Sequence, residues 1–230
     1  MSPLLILAPL FLVISFIYSS VGLGGGSAYI AALAVSGIPY SSIPTLALSL
    51  NLIVSGSSWI GYSKSGYFQP RLLFSLVLAS VPAAFIGGLI PLSEKTFFLL
   101  LGLVLFLSAI WILFSQEIHP SAIKHSGYKK FIVASGIGMA LGFLAGSLGI
   151  GGGIFLGPVL LAIGWTNAKQ TAALTSAFIF LNSSSLSSFI KLVATEQERV
   201  RFSSLYSVFA FPYFVTSTIH PLFSMEIISL

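Results

Sequence analysis

The run Ser20-Val21-Gly22-Leu23-Gly24-Gly25-Gly26 returns later in the chain as Ser147-Leu148-Gly149-Ile150-Gly151-Gly152-Gly153, each time inside an apolar stretch. Glycine weakens a helix by about 1 kcal/mol per position relative to alanine, so clusters this dense end or break the helix that enters them. The register extends outward, with Gly37 meeting Gly164 and Ser49 meeting Ser176. After a gain of three residues, Arg71, Pro82 and Pro91 meet Arg201, Pro212 and Pro221. The sequence therefore reads as two tandem repeats, each with a glycine-broken helix.

What surrounds the clusters fixes their solvent. Charged residues are 7% of the 230 residues, aspartate and cysteine are absent, hydrophobic residues reach 56%, and mean hydropathy is +1.03. A soluble domain cannot carry so little polar surface. Apolar blocks at 3–18, 42–60, 71–90, 96–114, from 131 into the second cluster, 168–190 and 202–219 approach the ~20 residues a helix needs to cross hydrocarbon. They show none of the alternation of a barrel strand. The fold class is an all-α polytopic transmembrane bundle embedded in the lipid bilayer. Short apolar runs at 27–35 and 154–163 follow the breaks.

The expected organisation is a first repeat over 1–114, a loop over 115–130 and a second repeat over 131–230, whose last helix is missing. The N-terminal block has no positive flank and runs into a repeat motif, so it reads as a structural helix rather than a cleaved signal. If each broken segment crosses once, Lys64, Arg71, Lys124, Lys129, Lys130, Lys191, Arg199 and Arg201 collect on one face, and Lys95 and Lys169 on the other. If each break turned the chain back, that separation would weaken. The positive-inside rule favours single crossings, a multi-pass protein of the cell (inner) membrane and a cytoplasmic N-terminus.

Unwound backbone in a membrane survives only inside protein or beside a wet cavity. The short helices after the breaks point free amides and a positive dipole end inward, which attracts anions. Interrupted segments at matching places in two repeats point to a transporter site near the midplane; close helix packing through small residues is the competing reading. The candidate substrate-binding set is Ser20, Gly24, Gly25, Gly26, Ser27, Ser49, Asn51, Ser147, Gly151, Gly152, Gly153, Thr175 and Ser176. Backbone amides would come from the glycine segments and uncharged donors from the hydroxyls and Asn51. The same polar side chains also suit interhelical bonding.

The five acidic residues, Glu94, Glu117, Glu196, Glu198 and Glu226, fall in loops or at block ends, which leaves no membrane carboxylate for a proton relay. His119, His125 and His220 show no ligand spacing, so no metal, no cofactor and no catalytic residue is expected. Basic residues lie between blocks as topology signals, which argues against nucleic acid as a partner. Trp59, Trp111 and Trp165 read as interfacial anchors, and Lys169 and Lys191 as snorkelling ends. A homo-oligomer is left open.

At these motifs, with Ile154-Phe155-Leu156-Gly157-Pro158 extending the second and Ser49 and Thr175-Ser176 on the polar helices, the chain resembles the sulfite exporter TauE/SafE family over nearly its whole length. The first copy departs from the second at Ile30-Ala31 and at Leu48-Ser49-Leu50. The resemblance implies a transporter of small sulfur-containing anions such as sulfite or organosulfonates, and rocking of one repeat against the other would give it alternating access. An uncoupled anion channel or uniporter, and a non-transporting structural subunit, remain as alternatives.

Overall fold

The computed structural model describes residues 3–90, 92–114 and 127–193; the expected block at 202–219, all three histidines and every acidic residue except Glu94 lie outside them. The described residues are helical: α1 (Pro3–Ser20), α2 (Gly26–Val35), a 3-10 turn at Tyr40–Ser42, α3 (Ile43–Lys64), α4 (Pro70–Gly88), α5 (Glu94–Phe114), α6 (Gly127–Leu148), α7 (Gly153–Ala162) and α8 (Ala168–Val193). Among them α3, α4 and the stretch Tyr128–Leu148 are long and apolar enough to span a membrane. Proline opens both α3 and α4, where its missing amide costs nothing. Ser15, Ser49, Ser75 and Ser184 turn their hydroxyls onto carbonyls one turn back, which hides polar groups within apolar spans.

Helix directions follow from contacts. A β-carbon on Gly138 would strike the carbonyl of Leu76, on Gly142 that of Ser80, and on Gly146 that of Ala84. Both partners advance by four, so α4 and α6 run parallel, backbone against backbone, in the most extensive helix contact among the described residues. Between α3 and α8 the order reverses: Tyr62 packs with Ala172 and Ala173, while Gly56 faces Phe180. These two helices are antiparallel.

The broken segments turn back, which corrects the expectation of one crossing each. Ser19 bonds Ser58 at 2.9 Å and Tyr62 donates to the Ser20 carbonyl, so α1 ends level with the end of α3. Four residues past Gly25, Tyr29 has already returned along α1, with its hydroxyl 2.9 Å from Ser15 and its ring edge-on to Phe11 at 5.5 Å. In the second segment the Lys130 ammonium, near the start of α6, sits 5.1 Å from the centre of the Trp165 ring, just past the end of α7. The physical reason lies in the backbone. Gly22 and Gly25 hold φ of 77° and 79°, and Gly149, Gly151 and Gly152 hold 62°, 73° and 80°. Repeated left-handed residues reverse the chain where a helix would carry it forward.

Each break is thus a hairpin of one long helix, an extended return and a ten-residue helix. The two hairpins enter from opposite faces, because α1 runs with α3 and α6 against it. Smaller differences also appear. Helix α6 begins at Gly127 within the expected loop, where Lys130 gains the face of Trp165. Trp165 itself is buried at 8% exposure in a cluster with Leu72, Leu76 and Leu160, so it is a core residue rather than a lipid-facing anchor.

Candidate functional site

The return segments of the two hairpins, residues 24–26 and 150–151, meet at Asn51, in the middle of α3. Asn51 is wholly buried, and its amide donates from Nδ2 to the carbonyl of Ile150 at 3.1 Å, tying α3 to the second break. A β-carbon on Gly26, first residue of α2, would sit 2.5 Å from that Nδ2 and 3.1 Å from the Ile150 oxygen; on Gly24 it would sit 2.6 Å from Oδ1. Only glycine lets the two return segments approach this closely. Gly25 and Gly152, both left-handed, are the residues just ahead of α2 and α7, and neither helix start carries a side-chain cap. The first amides of two helices therefore converge on one buried region from opposite faces, with dipoles that add as positive potential.

The candidate residues divide between this centre and its surroundings. Gly24, Gly25, Gly26, Ser27, Asn51, Gly151, Gly152 and Gly153 are buried at or beside the meeting point. Thr175 joins them indirectly: its Oγ1 donates to the Gly22 carbonyl at 3.1 Å and to the Thr171 carbonyl at 2.8 Å, fastening α8 to the first break. Ser20, Ser49, Ser147 and Ser176 spend their hydroxyls on carbonyls of their own helices, those of Ile17, Thr45, Phe143 and Ala173. These four are not brought to the centre as free donors.

Ser183 belongs to the centre although the candidate set omits it. It is wholly buried, its Oγ would lie 2.8 Å from a β-carbon on Gly151, and it has no hydrogen-bond partner. Asn51 Oδ1 is likewise unpartnered. An orphaned buried polar atom costs about 1–3 kcal/mol, so two at one place need a reason. Nothing in the sequence separates Ser183 from Ser184 and Ser185; only the position of Gly151 does. Among the described residues no group of three or more potential metal-ligating side chains forms.

A cavity of about 220 Å³ leads toward the centre from the face where α1 begins. Pro44 and Leu48 of α3, Gly146, Ser147 and Gly149 of the second hairpin, and Tyr40 line it. Tyr40 donates to the Leu92 carbonyl at 3.1 Å, and burial together with the Glu94 charge pushes its phenol above its ordinary value, so it stays a neutral donor at the mouth. The opposite approach is shut: a β-carbon on Gly22 would meet the Ala172 backbone, and Tyr62 and Thr175 bond across the seam.

Two opposed hairpins whose return segments meet at a buried midpoint, with a cavity beside the second, are the parts of a carrier. The family model of the sulfite exporter TauE/SafE matches residues 7–219. The chain belongs to this family. TauE/SafE membership makes it a multi-pass membrane transporter, and a curated relative agrees. The probable membrane transporter protein y4hK of Sinorhizobium fredii (strain NBRC 101917 / NGR234) is 37% identical over 184 residues, covering 77% of this chain and 72% of the relative. No solved structure matches the chain. The TauE/SafE match takes in both glycine breaks and therefore the whole of the site around Asn51.

Proposed function

We propose that the protein carries a small anion of the sulfite or organosulfonate type across the cell (inner) membrane by alternating access, with no catalytic step. The observation that carries this reading is the convergence of two helix N-termini on Asn51 from opposite faces. Free amides of α2 and α7 would hold the anion, and Ser27, Asn51 and Ser183 would orient it. The two hairpins form an inverted pair of repeats, and rocking one against the other would open the sealed approach at Gly22 while closing the cavity at Gly149.

Orientation follows the same geometry. A cytoplasmic N-terminus follows from single crossings. With both hairpins returning, among the described residues Lys64, Arg71, Lys129, Lys130 and Lys169 fall at helix ends on the face opposite the start of α1, against Lys95 and Lys191 on the other. Applied to these residues, the positive-inside rule favours a cytoplasmic basic face with the N-terminus outside it. Labelling of a cysteine introduced at Ser2, in intact cells with a membrane-impermeant reagent, checks this; protection until the cells are opened would reverse it.

Flux of sulfite and of a sulfonate into vesicles tests the site, comparing wild type with Gly25→Leu and Gly152→Leu. Each replacement forces a side chain onto a left-handed residue beside the amides, and flux should fall at least tenfold, on the order of 1.4 kcal/mol or more. Unchanged flux in both variants would remove the site assignment.

A further inference from the structure

We infer that the ligand of this site brings its own hydrogen-bond donor: it is a monoanion with a proton on one oxygen, a hydrogen oxyanion, in preference to an anion that only accepts. The inference rests on the anion-carrier reading above and narrows its substrate class.

Converging amides alone would suit any small anion. Asn51 adds a second requirement. Its Nδ2 is held by the Ile150 carbonyl at 3.1 Å, and turning the amide over would set oxygen against oxygen, so the orientation is settled by that bond. Oδ1 then faces the bare α-carbon of Gly24, wholly buried and with no donor in reach. It can only accept. An anion whose oxygens are all unprotonated would satisfy the amides of α2 and α7 and press lone pairs against Oδ1. A hydrogen oxyanion satisfies both, with its charged oxygens on the amides and its O–H on Oδ1. Ser183 Oγ, also buried and unpartnered beside Gly151, can donate to the same ligand.

A metal cation on Oδ1 is the competing occupant. It would sit before two positive helix ends, and the described residues offer no carboxylate near it, since Glu94 lies at the start of α5. The cavity lies beside the site: its lining includes Leu48, one helical turn before Asn51 on α3, and Gly149, next to Ile150.

Methylphosphonate monoanion and methanesulfonate have the same shape and charge and differ by one O–H. Binding of each to the purified protein in lipid nanodiscs, by calorimetry at a pH where methylphosphonate is the monoanion, reads the inference directly. Wild type should bind methylphosphonate about tenfold more tightly or better, and Asn51→Leu should bring the ratio to about one. Equal or tighter binding of methanesulfonate by wild type overturns the inference and leaves the anion site standing. Sodium binding that Asn51→Leu abolishes, without a preference between the anions, overturns it in favour of a cation site. If neither anion binds and the Gly25 and Gly152 variants leave flux unchanged, the carrier reading fails and takes this inference with it. The wild-type comparison decides even if Asn51→Leu does not fold.

Discussion

The two glycine breaks share a motif and a backbone but not their surroundings. At the first, Gly22 lies on the Ala172 backbone, Thr175 bonds its carbonyl, and Tyr62 bonds the carbonyl of Ser20, so the return strand is sealed from its outer face. At the second, the nearest neighbour of Gly149 is Pro44, whose Cβ lies 3.0 Å from where a β-carbon would be, and a cavity opens beside it. Near-identical sequence thus stands in two environments within one molecule. In the carrier reading these are the closed and open forms of one gate, and the difference is the conformational asymmetry that transport would exchange.

The comparison is broken most severely at its tightest contact. Gly22→Val sets a branched side chain on a left-handed residue 2.5 Å from Ala172 Cα. It should cost about 3 kcal/mol or more and abolish flux, read by thermal unfolding in detergent and by vesicle transport. Gly149→Val faces a cavity and should lose markedly less; equal losses would erase the distinction between the breaks.

Thiol accessibility measures the asymmetry itself, because the chain has no cysteine and each reporter stands alone. Cysteine at Ser147 should react with an impermeant reagent about tenfold faster, or more, than cysteine at buried Ser176. Comparable rates would mean that both approaches are open or both shut.

Smaller changes sharpen the picture. Thr175→Val removes the hydroxyl that fastens α8 to Gly22 and should cost about 1 kcal/mol. It should also speed labelling at Ser176 without changing that at Ser147. Ser147→Ala deletes a hydroxyl bonded only to Phe143 in its own helix, and stability should move by no more than about 0.5 kcal/mol. A large effect there would show that the open side has contacts beyond those described.

Much of the bundle was legible because hydropathy and glycine act locally. The starts of α2, α3, α4, α7 and α8 fall within a residue of the apolar blocks, and both breaks stand where the glycines cluster. Close packing, the competing reading of the glycines, also occurs, but along Gly138, Gly142 and Gly146, whose spacing of four the cluster motif overshadowed. In the site, Asn51 was recognisable as an amide on an apolar helix, whereas Ser183 among consecutive serines was not. The hydroxyls of Ser49 and Ser176 looked equivalent by register, yet each satisfies itself within its own helix. Register places a residue on a helix face and says nothing of which carbonyl its hydroxyl reaches.

The amino-acid sequence alone determined the solvent, the helical class and the two places where helices break. These depend on composition and on glycine's lack of a β-carbon, which need no partner. Whether a broken segment crosses or returns was decided only by tertiary structure, since several left-handed residues can reverse a chain only where other helices pack against the return. The meeting of both return segments at Asn51, with one break packed shut and a cavity beside the other, belongs to that level as well. It joins residues a hundred positions apart through contacts that no local pattern encodes.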